Sequence, residues 1–498
     1  MKLQDYFKDG VIAPLGYSPT SGSIKPVHVA NGLCRAALGE YFDPRILNET
    51  LIRWANRGAE ERHSTEDLIQ VASDRLGDLA LPANHQRLNE LRELLKGVLG
   101  ADGAVFDKNE NCSYTLTHRT HLTRDHNDRG TGDFLYRLLA VDLGRGPSPA
   151  LQLLRDLLAE DSDEISVLSL PLTTGEDPSS YELDDADVPD SLKTKASAEG
   201  KTFRSPIVRE LRAGFDTLAE FERARGSKLH SLRRIVTFAS FALVQHVVHR
   251  ALDYEDGRSF RTARPPMLMD FVQGGWSSIA LASQGTYNLA CKAIERMVGH
   301  GVRARLAEEH GARWTTRQVE QFVEEIELRG GEKVQDRKRK HFMEVFRSYA
   351  AGGSTIADAF GMAVVDVMLE DLSGTPFDFM RALGVRGGLL APRGQRAVKK
   401  RYAPSPELLE VLLASTLQHE EEIELEQLAE RWRDRFGIIT GALASDARDL
   451  ARWSILDATK EDLVGNAEAL RSMLLEIGYA RRYADGVTII RLGHGGHS

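Results

Sequence analysis

Residues 235–252 read IVTFASFALVQHVVHRAL. The run is apolar almost all round rather than along one stripe, which is how a helix enclosed by other helices reads. It approaches the length of a membrane span. Gln245, His246, His249 and Arg250 interrupt it, however, and such groups are costly in hydrocarbon. The stretch therefore predicts a buried central helix over 228–253. The fold class that follows is mainly α with a few short strands: a multi-helix body plus a separate C-terminal helical domain.

Outward from that helix the apolar period stays helical. On its N-terminal side, Ser205–Pro206 is a helix start. Ile207, Leu211, Phe215, Leu218 and Phe221 form the stripe, and Gly226 ends it. Earlier helices are predicted over 46–56, 64–79, 85–99, 133–142 and 148–160. In the third of these, Leu88, Leu91, Leu94, Leu95 and Leu99 share a face, with Pro82 separating it from the second. Residues 101–132 are polar and glycine-punctuated, so a long loop or hairpin is expected. EISVLSLPL (164–172) predicts a short strand. Residues 173–200 hold eight acids against two lysines and two prolines, which predicts a solvated linker or mobile loop.

On the C-terminal side, Pro265–Pro266 leads into MLMDFV (267–272), a buried strand closed by Gly274–Gly275. Helices are predicted over 286–300, 315–330, 337–350 and 354–371. A Gly/Arg/Lys-rich connector, RGGLLAPRGQRAVKKRY (386–402), precedes the last domain. No internal repeat is present. The expected division is 1–132, 133–395 and 402–498.

In the last of these, Ser405–Pro406 starts a helix. A second, 424–436, turns Leu425, Leu428, Trp432 and Phe436 inward. A third, about 466–477, uses Leu470, Met473, Leu474 and Ile477, with Gly478 placed as a C′ glycine. Then YARRYADGVTIIRL (479–492) sets Asp485–Gly486 between two alternating runs, a hairpin signal. Three helices and a hairpin over 404–492 resemble a winged helix-turn-helix domain. The resemblance implies a last helix in the DNA major groove and a wing on the backbone. Asn466, Arg471 and Ser472 would then face bases, and Arg481, Arg482 and Arg491 would meet phosphates. Winged helices also serve as protein docking modules. Residues 402–498 carry 17 acids against 10 bases, and Glu420, Glu421, Glu422, Glu424 and Glu426 crowd one edge. Phosphate binding wants the opposite sign, so docking is favoured over DNA contact. Residues 441–461 look like an insertion between the second and third helices.

The whole chain of 498 residues has a formal charge of −9, which excludes a uniformly basic nucleic-acid coat. The charge is uneven. Residues 173–200 contribute −6 and 402–498 contribute −7, leaving +4 for the remainder. Cys34, Cys112 and Cys291 lie far apart and make neither a disulfide framework nor a zinc motif, so a reducing cytoplasm is expected. The first residues carry Asp5 and Asp9 and no apolar leader, so no signal peptide is expected.

Four places could carry chemistry. His118, His121, Asp125, His126 and Asp128 combine imidazole and carboxylate and could hold a divalent metal. His246, His249 and Asp253 share a face of the central helix. Asp270 ends the 267–272 strand, and Ser283–Gln284–Gly285–Thr286 reads as a helix N-terminus that could hold an anion. Arg337, Lys338, Arg339 and Lys340 form one basic run; Arg393, Arg396, Lys399, Lys400 and Arg401 form another, suited to phosphate.

No phosphate loop, serine elbow or dinucleotide fingerprint occurs. The expected role is a non-catalytic adaptor or scaffold without a cofactor. It would sit in the cytoplasm and dock other protein subunits, with duplex DNA as a further partner and no membrane. Its texture resembles accessory subunits of bacterial DNA-processing or anti-phage defence systems. The alternatives are a metal-dependent nuclease or phosphohydrolase using 118–128, and a winged-helix transcriptional regulator.

Overall fold

The central helix spans Lys228–Glu255 in this computed structural model. The structure describes residues 11–12, 14–19, 24–42, 54, 64–99, 119–124, 127–159, 177–183, 188–198, 200–223, 227–255, 260, 263–275, 277–311, 313–371, 375–394, 399–484 and 486–492. By length and composition the central helix could cross a membrane, but all of its apolar window is buried inside the protein. Helices Pro26–Leu38, Pro206–Arg223, Ser278–His310, Pro376–Arg386 and Pro406–Ala414 pack around it. The fold is mainly α, and no strand among the described residues exceeds four residues. One apolar core runs from Val11 through the central helix to Leu492.

The body and the C-terminal segment are joined by backbone pairing. Met267–Leu268 pairs in parallel with Ile438–Ile439. Met269 N donates to Ile439 O at 3.1 Å and Asp270 N to Tyr402 O at 2.8 Å. Gly437 makes this approach possible. It closes helix Leu425–Phe436 in the left-handed region, with φ +73°, and a Cβ there would lie 2.2 Å from Pro265 O. Side chains rarely tolerate either condition.

A second close approach fixes the N-terminal half. Helix Pro26–Leu38 crosses helix Thr131–Ala140 at two glycines. A Cβ on Gly132 would sit 2.2 Å from the carbonyl carbon of Gly32, and one on Gly32 would sit 2.2 Å from Asp128 Oδ2.

Several expectations are corrected. The acidic stretch is not featureless. Ser179–Ser180 pairs with Glu40–Tyr41, and Thr194–Ser197 pairs with Gly200–Phe203. Leu192 and Phe203 are buried and anchor it to the core, while Asp177, Glu182, Asp190, Lys193 and Lys195 are exposed. The 386–402 connector is a short antiparallel hairpin, Leu390–Ala391 with Arg401–Tyr402. Helix Pro376–Arg386 was not anticipated, although Thr375 and Asp378 form a capping box around a first-turn proline. Helix Ser278–His310 begins at the Ser277 cap, so Ser283–Thr286 lies inside it and is no N-terminus. Ser283 Oγ instead bonds both backbone groups of Tyr402, at 3.1 and 3.0 Å. The 354–371 prediction resolves into helix Ile356–Ala363 followed by a π-helical turn, Val364–Met368. Leu94 is exposed, unlike Leu88 on the same predicted stripe. The 46–56 helix (apart from the buried Trp54), the 164–172 strand, Gly226 and residues 100–118 of the polar loop lie outside the described residues.

Candidate docking surface

The last long helix spans Lys460–Glu476. Thr459 and Asp462 form its capping box, with Asp462 N donating to Thr459 Oγ1 at 3.2 Å and Thr459 N to Asp462 Oδ2 at 2.9 Å. Leu463, Asn466, Ala467, Leu470 and Leu474 recur at helical spacing and form the buried stripe. Asn466 therefore points inward, and the expectation that it faces bases is overturned. Its Nδ2 donates to Met269 O and Thr440 O, each at 2.8 Å, and its Oδ1 accepts from Phe271 N at 2.9 Å.

The outer face carries Glu461, Val464, Gly465, Glu468, Ser472, Leu475 and Glu476. Val464 is 59% exposed. Arg471 is ion-paired with Glu468, and Ser472 Oγ donates back to Glu468 O at 2.9 Å. Neither is presented as a cationic reader. The hairpin is formed by Ala480–Arg482 and Thr488–Arg491, and Glu422–Glu424 adds a third strand. Arg481 and Arg482 are exposed on it. Arg491 pairs with Glu422 at 3.1 Å.

Between helices Leu425–Phe436 and Lys460–Glu476 lies a groove of about 630 Å³. Glu426, Glu430, Leu443, Ala447 and Val464 line it. Arg433 lines it too, but is tied to Ser445 Oγ at 2.7 Å; Lys460 is its other cation. Neither the groove nor the inward turn of Asn466 was foreseen. The outward spacing of Glu461, Val464 and Glu468 was the available signal.

Beneath the 441–445 loop, Asp446 is fully buried. Its Oδ2 accepts from Gly441 N at 2.8 Å and Leu443 N at 3.3 Å, while its Oδ1 has no partner among the described residues. Burial pushes its carboxyl up to about 6 against the restraint of those two N–H groups. The folded state thus keeps a proton that the unfolded chain, with an ordinary carboxyl near 4, gives up. Asp446 is least unfavourable below about pH 4, and stability is lost as pH rises through about 6. Replacing Asp446 with Asn keeps the acceptor without the charge. The expected result in denaturant unfolding is stabilisation of roughly 1–3 kcal/mol at pH 8, about half of that at pH 5 and little change near pH 3. A larger loss for the variant at pH 8 than at pH 5 would sink this account.

The remaining candidates have other tasks. His118, Asp125 and His126 lie outside the described residues, and His121 sits in the short turn Arg119–His121. Asp128 is not offered to a metal. It is buried against Arg35 at 3.3 Å, and the Arg35 Nη1 donates to Thr123 O at 2.9 Å. Burial is the strongest single influence and opposes the charge on Arg35, but Asp128, Tyr181 and Asp133 together outweigh it and raise its pKa. The same guanidinium lies 4.6 Å over the Tyr181 ring, whose hydroxyl donates to Asp133 at 2.8 Å. No group of three metal-ligating side chains occurs among the described residues.

His246 and His249 are buried in the core, and burial holds both well below the usual histidine range. His246 Nδ1 shares a hydrogen bond with Tyr17 Oη and Nε2 with Ser191 Oγ, each at 3.2 Å. Asp253 pairs with Arg250 at 2.8 Å. The three do not form a ligand set. Asp270 is buried and ion-paired with Arg401 at 2.6 Å, so it is a satisfied acid at a strand end.

The basic runs also divide. Lys338 pairs with Glu370 at 2.9 Å and Asp371 at 3.0 Å, and Arg339 donates to Ile326 O at 2.9 Å. Only Arg337 and Lys340 of this run are fully exposed, on a groove that Glu295, Glu344, Asp366 and Glu370 also line. In the second run, Lys400 and Arg401 are buried. Lys400 Nζ donates to Pro392 O and Gly394 O, and Arg393 to Leu390 O and Ala403 O. Lys399 is exposed, and Arg396 lies outside the described residues. The expected cationic patches are therefore corrected: Lys338, Arg339, Arg393, Lys400 and Arg401, five of the eight described cations in the two runs, are spent on the fold. No protein-family model matches the chain, and comparison with curated proteins found no match.

Proposed function

We propose that this protein is a non-catalytic docking subunit whose C-terminal helical segment presents a binding face to another protein. The observation that carries the reading is the outer face of helix Lys460–Glu476. Glu461, Val464, Leu475 and Glu476 are exposed there, and its one arginine is neutralised by Glu468. A face of that sign repels phosphate and offers apolar anchors to a protein. The winged-helix resemblance fits this use as well as it fits DNA binding. Large assemblies that act on nucleic acid are the proposed setting, in the manner of accessory subunits.

A second reading keeps DNA as a ligand of the hairpin, because Arg481 and Arg482 are exposed on it. An electrophoretic shift of a short duplex by the full chain, at low and moderate salt, separates the two. Docking predicts no salt-resistant shift and no effect of replacing both arginines with Ala. A shift that those replacements abolish would favour the DNA reading. Point variants serve better here than removal of 402–498, since that segment supplies part of the common core.

A further inference from the structure

We infer that the groove between helices Leu425–Phe436 and Lys460–Glu476 receives an amphipathic helix of a partner protein that carries a pair of basic residues one turn apart beside an apolar anchor. The inference rests on the docking reading and names the partner's chemistry. Its basis is charge and spacing. Glu426 and Glu430 are exposed on one wall and make no ion pair among the described residues; of the two cations that line the groove, Arg433 is paired with Asp434 at 3.3 Å and Asp449 at 3.9 Å, and Lys460 stands on the facing helix. They are four residues apart on one helix, so their carboxylates stand about one turn, roughly 5–6 Å, from each other. Lys or Arg at the same spacing on an opposing helix would meet both.

The floor supplies the second requirement. Leu443 and Ala447 line it, and Val464 stands at the lip, 59% exposed. One branched apolar side chain seated there would cover Val464 and leave water. The small residues Gly441, Ala442 and Ala444 keep the loop wall low, so a helix backbone can lie close. Docking a helix in a groove between two helices is an established recognition mode. Glu461, exposed next to Lys460 on the same helix as Val464, offsets that lysine, so the surroundings of the groove keep the negative sign that would draw a basic partner. Nucleic acid is disfavoured by the same carboxylates.

The test is selection of random peptides of about 16 residues, some four helical turns, displayed against the full chain. The expected winners are net positive, with Lys or Arg at i, i+4 and apolar residues on the adjoining face. Their affinity should fall about tenfold on Glu426→Lys with Glu430→Lys, and comparably on Val464→Asp, and should weaken with salt. Exchanging the peptide's basic pair for Glu should restore binding to the double charge-reversal variant. All three substituted residues are exposed, so unfolding midpoints should not move; Val464→Ser is a milder companion.

Winners that are neutral or acidic and still lost on Val464→Asp would overturn the basic-partner inference and leave docking at this face standing. Winners unaffected by any of these variants, or an absence of winners, would overturn both. Duplex DNA that binds the chain and is lost on Val464→Asp would also overturn both.

Discussion

Gly132→Ala is expected to destabilise the protein by about 4 kcal/mol or more, enough to lower soluble yield sharply. The added methyl would lie 2.2 Å from the Gly32 carbonyl carbon and 2.5 Å from its Cα. Both are backbone atoms, so no side-chain rotation relieves the overlap. The helices Pro26–Leu38 and Thr131–Ala140 would have to separate. That would pull Arg35 from Asp128 and leave a buried charge without its partner. Gly32→Ala meets the Asp128 carboxylate instead, which can swing aside at the cost of the ion pair. It should cost less than Gly132→Ala. Thermal unfolding of both variants checks the order; equal stability of wild type and Gly132→Ala would show that the crossing is looser than described.

Asn466→Ala is expected to cost about 3–5 kcal/mol, because it strands three buried backbone groups at once. Phe271 N, Met269 O and Thr440 O would each lose a partner in a site with no exposed surface of its own. Asn466→Asp should be no better. A carboxylate can accept from Phe271 N but cannot donate to the two carbonyls, and it would be desolvated. The measurement is the denaturant midpoint, with duplex DNA binding as a parallel readout. A variant with unchanged stability and altered DNA binding would return Asn466 to the outward, base-facing role that its position first implied.

These two sites show which part of the molecule was legible in one dimension. The central helix was legible because residues 235–252 are apolar on every side, a local property. The capping hydroxyls and the Gly478 helix end were legible for the same reason. Asn466 was not. It sits on a helix whose period places it beside Leu463 and Leu470, but the winged-helix resemblance set it outward, facing bases. Its partners at 269 and 271 lie more than 190 residues away, so nothing nearby signals them. Arg35 and Asp128, 93 residues apart, fail for the same reason. A carboxylate within a run of histidines reads as a ligand until its buried guanidinium partner is located. Lys400 and Arg401 look like surface charge in a glycine-rich connector. The hairpin that buries them is made of two-residue strands too short to leave a pattern. The acidic 173–200 stretch conceals its hairpin likewise, since its anchors are single apolar residues amid charge.

The bond between Phe271 N and Asn466 Oδ1 joins groups 195 residues apart, and this sets a clock for the nascent chain. At about 5–20 residues per second, roughly 10–40 s of translation separate the two residues. For most of that interval the strand Met267–Leu268 has been made and its partner Ile438–Ile439 has not. Met267, Leu268 and Met269, buried in the finished fold, stay without that cover meanwhile, and transiently exposed apolar surface is aggregation-prone. The order of the segments thus sets how long this apolar stretch waits for its cover. A circular permutant that brings 402–498 ahead of the 267–271 strand would shorten the wait and fold with less help from the cell.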